Sequence, residues 1–311
     1  MRFVWVCLLM FLSSAIGVTH TRAADPPRAA VRIAGYLPDY RVQDYDLSRA
    51  IGLTDLIVFS AEVTPEGSLD LGRLKDAPWE KLRQFKTQER IRLILCVGGW
   101  ARSQGFAKAS ATPDGRAKFA REAVEFCLSQ RLDGLDLDWE HPEGDEQQQG
   151  YAALLETLRD AFAPFGLQLS VTMAAWQQLP AQGFAAVDAV QIMAYDNPGQ
   201  HSTLADAERD VKALLARGAA REKIVLGLPA YGRHQTRKDD AISYAEIAAK
   251  HKLTPGMDEV EGYYFNGPAT LRKKLQLVRR EKLAGVMVWE LGQDADGEKS
   301  LLKIVREAAA K

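Results

Sequence analysis

Residues 133–140 of the chain read Asp-Gly-Leu-Asp-Leu-Asp-Trp-Glu, a short run in which acidic and apolar residues alternate. Side chains of a β-strand point alternately to its two faces, so Asp136, Asp138 and Glu140 share one face and the apolar residues share the other. Burying three acids on one face costs free energy unless they have partners. A sequence that keeps them there indicates either such partners or a catalytic role. The run therefore predicts a strand whose acidic face carries function, with Glu140 at its carboxyl end. Asp133 has the opposite parity, which predicts a structural role for it.

The segments on either side of this run repeat an alternation of strand and helix patterns. Eight short runs rich in valine, isoleucine, leucine and methionine are typical of parallel strands covered by helices. They are residues 31–36, 55–60, 91–97, 132–139, 167–173, 189–195, 223–228 and 284–289. The alternation predicts an α/β fold, a closed (β/α)8 TIM barrel forming a single domain, with an open doubly wound sheet as the alternative.

Amphipathic segments with start and stop signals separate the strands. Thr112 followed by Pro113 is typical of a helix N-terminus, and Gly218 is typical of a cap at a helix C-terminus. The predicted helices cover residues 113–130, 151–163, 203–217, 269–282 and 299–310. The longer segment after the seventh strand has a helical pattern at 243–251 and an extended one at 262–265. This predicts a short elaboration after the seventh strand and no second domain.

Composition excludes several classes of protein. The 311 residues include 40 basic and 41 acidic side chains, giving a net charge of −1, and 47 % of the residues are apolar. This balance argues against a basic nucleic-acid binder, a disordered chain and a multi-span membrane protein. The five histidines show no metal-ligand spacing, and no phosphate-binding glycine loop is present. We therefore expect neither a metal nor another cofactor.

The N-terminus has the pattern of a secretory signal peptide over residues 1–23. Arg2 provides the positive charge, and residues 4–18 form a mostly apolar stretch without charge. Small residues precede the expected cleavage point after Ala23, and an uncleaved anchor is the alternative. Residues 24–30 then form an exposed lead-in. The barrel domain covers 31–311.

Export makes disulfides possible, and Cys96 and Cys127 remain after the leader is removed. Both cysteines lie in apolar surroundings along the sequence. We therefore predict two buried thiols and no bridge.

The acidic run matches in full the Asp-x-x-Asp-x-Asp-x-Glu signature of glycoside hydrolase family 18, the chitinase family, which the chain therefore resembles. Further similar motifs fall at the ends of other predicted strands, and the resemblance extends over about residues 31–308. These motifs are GY at 35–36, VGGW at 97–100, QIMAYD at 191–196, YGR at 231–233 and GVMVWE at 285–290. The chain departs from the pattern at Cys96, where family members commonly carry serine.

The resemblance implies a retaining mechanism in which the 2-acetamido group of the substrate is the nucleophile. It implies that Glu140 protonates the glycosidic oxygen and then acts as base toward water. Asp138 would orient the acetamido N–H, and Asp136 would share a proton with Asp138. Tyr195 would hydrogen-bond the acetamido oxygen.

The resemblance also implies a set of substrate-binding residues. Trp289 would form the floor under the sugar at the cleavage point, and Trp100 would stack on the leaving-group side. The central subsite would be completed by Tyr36, Met193 and Asp196, with Arg233 reaching a sugar hydroxyl. Two more aromatic residues, Trp176 and Phe59, fit a stacking role and a core role equally well.

The implied function is a secreted or periplasmic glycosidase of chitinase type that cleaves β-1,4 linkages of N-acetylglucosamine polymers. The expected partner is an N-acetylglucosamine-containing oligo- or polysaccharide, with no nucleic acid, no membrane after signal cleavage, and a monomeric chain. One alternative is an endo-β-N-acetylglucosaminidase acting on peptidoglycan or N-glycans. An alternative of another class is an inactive chitin- or sugar-binding lectin, against which the intact Glu140 argues.

Overall fold

A closed barrel of parallel strands forms the centre of the molecule. The computed structural model describes residues 31–237 and 239–310. The barrel strands are β1 (Arg32–Pro38), β2 (Asp55–Val63), β4 (Arg92–Gly98), β5 (Gly134–Asp138), β6 (Gln168–Met173), β7 (Ala189–Ile192), β8 (Ile224–Pro229) and β13 (Gly285–Trp289). They hydrogen-bond in the order β1-β13-β8-β7-β6-β5-β4-β2, and β2 pairs with β1 to close the ring. The predicted (β/α)8 TIM barrel is confirmed, and the short strand β3 (Leu69–Asp70) extends β2 as an antiparallel partner.

Helices cover the outside of this barrel. Those described are α1 (Trp79–Glu89), α2 (Phe106–Ala111), α3 (Pro113–Gln130), α4 (Gly144–Phe162), α5 (Ala181–Ala186), α6 (Leu204–Ala216), α7 (Tyr244–Lys250), α8 (Pro268–Arg280) and α9 (Leu301–Ala309). The start of α3 agrees with the sequence, because the Thr112 side chain accepts a hydrogen bond from the Gly115 amide and proline occupies the first turn.

The boundary predicted at residue 151 is wrong by a full two turns, because α4 begins at Gly144. The first turns of α4 are polar and contain no apolar periodicity from which a helix could be recognised. Their acidic residues, Asp145 and Glu146, lie in the first turn, where they stabilise the positive end of the helix dipole.

Strand alternation produces two apolar layers. Leu135, Leu137 and Trp139 belong to the larger layer between the strands and the helices. A smaller layer inside the barrel includes Tyr36 and Cys96. The acids of β5 therefore point to the barrel interior, as their parity predicts.

A small antiparallel sheet follows β8, the seventh strand of the barrel. It consists of β9 (Tyr231–His234), β10 (Ala241–Ser243), β11 (Glu259–Val260) and β12 (Tyr263–Tyr264), in the order β10-β9-β12-β11. Helix α7 lies between β10 and β11 along the chain. This is the predicted elaboration, and it carries Arg233 on β9.

The other predictions concern the thiols and the leader. Cys96 and Cys127 are both buried and free. The predicted signal peptide and lead-in, residues 1–30, lie outside the described residues. Among the residues that are described, no helix is both long and apolar enough to cross a bilayer.

Candidate active site

Asp136 lies deepest in the barrel and is surrounded by donors. Its Oδ1 accepts hydrogen bonds from Ser170 Oγ at 2.5 Å and Gln191 Nε2 at 3.0 Å. Its Oδ2 accepts from Tyr36 Oη at 3.0 Å and Thr172 Oγ1 at 2.9 Å. Donors from three other strands, β1, β6 and β7, thus satisfy both oxygens of a fully buried carboxyl.

Cys96 is the fifth neighbour of this carboxyl. It lies on β4 in register with Asp136 on β5, and its thiol hydrogen-bonds the Asp136 carboxyl. Burial, together with the charge of Asp136, raises the pKa of the thiol well above its usual value. Cys96 is therefore a neutral, weak donor to Asp136.

Asp138 is the second acid on the inward face of β5, and one of its oxygens has no partner among the described residues. Oδ1 is buried and makes no hydrogen bond to any described residue. Burial raises the pKa of Asp138 well above its ordinary value, and the charges of Glu140 and Asp136 raise it further. A buried, unsatisfied acceptor costs free energy in the folded state, and an N–H donor from a ligand would remove that cost.

Glu140 follows β5, at the barrel end where the strands finish. Its side chain is 13 % exposed, and its backbone amide donates to Ser103 Oγ at 3.0 Å. Burial and the charge of Asp196 raise the pKa of Glu140 to about 7, although a hydrogen bond from the backbone N–H of Trp100 opposes the shift. A carboxyl with this pKa is half protonated near neutrality and can act both as acid and as base.

Two glycines precede Trp100 at the end of β4 and allow this segment to lie close to β5. Gly98 and Gly99 have φ values of 100° and 104°. A Cβ on Gly98 would lie 2.3 Å from the carbonyl oxygen of Asp138. Only glycine therefore allows the end of β4 to approach β5 this closely.

The end of β7 provides Met193, Tyr195 and Asp196. Asp196 Oδ1 accepts from Tyr231 Oη at 2.6 Å and pairs with Arg233 Nη1 at 3.1 Å. Burial opposes ionisation of Asp196, but hydrogen bonds from His201 and Tyr231 and the Arg233 charge lower its pKa. Asp196 is therefore a fixed negative charge that favours the protonated form of Glu140.

Tyr195 presents its hydroxyl to a weak partner. The hydroxyl donates to Met287 Sδ at 3.9 Å, and a thioether accepts hydrogen bonds poorly. Burial is the largest cause of the raised pKa of Tyr195, so the phenol remains protonated. It is available to donate to a better acceptor.

Aromatic rings occupy two different environments. Tyr36, Phe59 and Trp289 pack together, with ring centroids 5.5 Å apart for Tyr36 and Trp289 and 4.7 Å apart for Phe59 and Trp289. Trp100 and Trp176 are instead 76 % and 65 % exposed. Phe59 is therefore a core residue that supports Trp289, whereas Trp176 is not part of the core.

One cavity of about 990 Å³ gathers most of the predicted site. Its lining includes six of the ten predicted residues: Trp100, Glu140, Met193, Tyr195, Asp196 and Arg233. Trp176, His141, the C-terminal half of α6 and Arg217 also contribute to its wall. Tyr36, Asp136, Asp138 and Trp289 do not line it and lie in the barrel interior. No group of acidic, histidine or cysteine side chains suited to a metal ion occurs among residues 31–237 and 239–310.

Several residues of the site were not predicted to have a role. Ser170 and Thr172 alternate with the apolar residues of β6, a signal that could have identified them as inward-facing. Tyr231 and Gln191 lie inside motifs that were recognised, although no role was assigned to them. Ser103 gave no signal in the sequence.

Comparisons with known proteins agree on one family. The family model described as glycosyl hydrolases family 18 matches residues 32–294. Endochitinase 1 of Metarhizium robertsii is 26 % identical over 275 residues, covering 70 % of this chain and 65 % of that protein. Probable chitinase 10 of Drosophila melanogaster is also 26 % identical over 275 residues, covering 66 % of this chain and 12 % of its own length. The chain thus spans less than two thirds of both relatives.

The fold is also found among solved structures. The chitinase ChiB of Flavobacterium johnsoniae superimposes with a TM-score of 0.78 at 24 % identity, covering 90 % of this chain and 94 % of that chain. At this identity the likeness concerns the fold.

Proposed function

The chain belongs to glycosyl hydrolases family 18, and from this premise we propose that it is a chitinase-type glycosidase. The proposed reaction is hydrolysis of β-1,4 linkages between N-acetylglucosamine units. One observation carries the proposal: a carboxyl with a pKa of about 7, Glu140, shares the site with Asp138, whose buried Oδ1 has no partner. The first group supplies a proton to a leaving oxygen, and the second accepts the N–H of a 2-acetamido group.

In the first step the protonated Glu140 donates its proton to the glycosidic oxygen. The acetamido carbonyl oxygen of the substrate attacks the anomeric carbon as the bond to the leaving sugar breaks. The products of this step are a neutral leaving sugar, an oxazolinium ion and the Glu140 carboxylate. Holding nucleophile and carbon in line converts a loose encounter into an intramolecular reaction.

In the second step the Glu140 carboxylate takes a proton from water while the water oxygen bonds to the anomeric carbon. The bond to the acetamido oxygen breaks, and the acetamido group is restored. Two displacements on the same carbon give net retention. Glu140 is protonated again and ready for the next cycle.

The neighbouring groups fix the acetamido substituent between them. Asp138 Oδ1 accepts its N–H. The proton that Asp138 shares with Asp136 moves to Asp136, and the negative charge left on Asp138 stabilises the oxazolinium ion. Tyr195 donates to the acetamido oxygen in place of its weak bond to Met287. Asp136 lies two residues before Asp138 on the same face of β5.

Flat apolar surfaces suit the C–H faces of sugar rings. Trp289 supports the sugar at the cleavage point, and the exposed Trp100 supports the leaving sugar. Met193, Asp196, Arg233 and Tyr36 complete the central subsite. We further propose that residues 1–23 direct export, that 24–30 are an exposed lead-in, and that the mature chain acts as a monomer outside the cytoplasm.

Incubation of the purified protein with three classes of glycan tests the proposed function. Chitin oligosaccharides, peptidoglycan and a high-mannose N-glycan are compared, and products are followed by mass. We expect cleavage of the chitin oligosaccharides. Cleavage of peptidoglycan or N-glycan alone would identify a different substrate class, and binding without cleavage of any glycan would identify a lectin.

The stereochemistry of the first product provides a prediction about mechanism. Because the acetamido group displaces the leaving sugar before water does, we expect the newly formed reducing end to be the β-anomer. Rapid NMR or chromatography of a chitin oligosaccharide digest, before mutarotation, measures it. An initial α-anomer would exclude participation of the acetamido group.

The pH dependence of activity provides a second prediction. Glu140 must be protonated at the start of the cycle and its pKa is about 7, so kcat/KM should fall as pH rises through about 7. Burial is the larger cause of the raised pKa and remains in Asp196→Asn, but the contribution of the Asp196 charge is absent, so the fall should begin at lower pH. A wild-type profile that stays level well above neutrality would contradict the assignment of Glu140 as the acid.

A further inference from the structure

Trp176 is an exposed aromatic residue on a loop that is firmly held. The residue follows β6 and lines the cavity, with 65 % of its surface exposed. Its ring meets the His141 imidazole at a centroid separation of 4.5 Å and an angle of 64°. An indole that is this exposed buries little apolar area, so its burial contributes little to the stability of the fold.

The Arg217 guanidinium binds the backbone on both sides of Trp176. Arg217 follows α6 and donates from Nη1 to the Gln177 carbonyl and from Nη2 to the Ala175 carbonyl. Its Nε donates to Ala213 on its own helix at 3.2 Å, which fixes the orientation of the planar group. The planar fork of an arginine presents donors on separate nitrogens and so suits two carbonyls on either side of one residue, whereas a lysine carries all its donors on a single nitrogen.

Gln177 connects the same loop to the strand that leads to the acid. Its Nε2 donates to the Trp139 carbonyl at 2.9 Å, and its Oε1 accepts from the Ala174 amide. Trp139 directly precedes Glu140. The backbone on both sides of Trp176 is therefore held relative to the segment that carries Glu140.

One cavity brings this carboxyl together with both exposed tryptophans. It contains Glu140, Trp100 and Trp176, whereas Trp289 and Tyr36 lie in the barrel interior and outside its lining. If Trp289 supports the sugar that forms the oxazolinium ion, the part of the cavity lined by Trp100 and Trp176 receives the leaving sugar chain. This assignment rests on the proposed function.

We propose that Arg217 is a positioning residue that holds Trp176 as a stacking surface for the sugar units on the leaving-group side of Glu140. Arg217 lines the cavity, and each of its three guanidinium nitrogens donates to a backbone carbonyl, so we assign it a role through the loop that it holds. Its removal should weaken binding of substrates that extend into the cavity and leave shorter substrates unaffected.

Kinetics of Arg217→Met on two substrates test this inference. The first is a chitin hexasaccharide, and the second is an aryl glycoside of the disaccharide, whose leaving group is a phenol. We expect the KM for the hexasaccharide to rise about three- to tenfold, the value of one aromatic contact. The kcat for the hexasaccharide and both parameters for the aryl glycoside should equal the wild-type values.

Arg159→Met is the matched control. Arg159 also binds a backbone carbonyl, Ala186 at 2.6 Å, and pairs with Asp188 at 2.6 Å, but it does not line the cavity. We expect this variant to lose thermal stability without any change in KM that depends on substrate length. An equal rise in KM in both variants, or an equal loss on both substrates in Arg217→Met, would overturn the inference.

A double-mutant cycle keeps the test decisive if Arg217→Met folds poorly. Arg217→Lys retains charge and one donor group and should give a smaller rise in KM. Trp176→Ala should raise KM for the hexasaccharide by itself, and adding Arg217→Lys should cause no further rise, because both act through one ring. Additive effects would overturn the inference, whereas failure of the wild-type protein to cleave any oligosaccharide would overturn the proposed function.

Discussion

Glu140→Gln is expected to lower kcat/KM for chitin oligosaccharides by about 10²- to 10⁴-fold, the contribution of a general acid. Glutamine has the shape of the protonated side chain and cannot transfer a proton. Because the pKa of Glu140 is raised to about 7, the group is mostly neutral below neutrality, and a neutral amide should fit its surroundings. Steady-state kinetics measure the loss. A melting temperature equal to that of the wild-type protein would show that the fold is retained.

Glu143→Gln is the control for this variant. Glu143 lies three residues later, is exposed, and precedes α4 without a side-chain capping bond. Its replacement removes one acid near the site and should leave kcat/KM unchanged. Glu140→Gln should still bind oligosaccharide by calorimetry, and substantial residual turnover would refute the assignment of Glu140.

Asp138→Asn is expected to give the next largest loss, about 10²- to 10³-fold in kcat, as for removal of one preorganised electrostatic contact. Asparagine retains an oxygen that accepts the acetamido N–H but cannot develop the negative charge that stabilises the oxazolinium ion. The main effect should therefore appear in kcat, with KM changed little. The variant should also be at least as stable as the wild type, because it replaces a buried acid whose neighbours are acids.

Asp133→Asn is a control on the adjoining chain segment. Asp133 Oδ2 accepts from the Leu93 amide at 2.8 Å and pairs with Lys86 Nζ at 2.7 Å. Its replacement should reduce the free energy of unfolding by about 1 kcal/mol without changing kcat/KM. If Asp133→Asn and Asp138→Asn lost activity equally, the parity argument for a functional face of β5 would fail.

The barrel could be predicted from the sequence because its strands are near-continuous apolar runs between amphipathic helices. Boundaries were accurate where a local signal exists, as at the Thr112 cap. The start of α4 was not predicted because residues 144–150 show no apolar periodicity. They are stabilised as helix by the interaction of their acidic side chains with the helix dipole and by the helix that continues after them. The pairing within the small sheet after β8 depends on contacts that no local pattern specifies.

The candidate site was predictable to the extent that its residues lie in short motifs. Asp136, Asp138 and Glu140 share a face because they alternate on a single strand. Contacts between distant segments were not predictable, such as that of Ser103 with the Glu140 amide, 37 positions apart. The same holds for Arg217, which reaches a carbonyl 42 positions away.

The unpartnered oxygen of Asp138 has a consequence for protein engineering. A buried acid whose oxygen lacks a partner until a ligand binds lowers the stability of the free protein. Catalysis therefore favours aspartate at position 138, whereas a high melting temperature favours a neutral residue there. A library of variants ranked by melting temperature alone would favour neutral residues at position 138. The most heat-resistant members would then tend to be proteins that hold the sugar and leave its bonds intact.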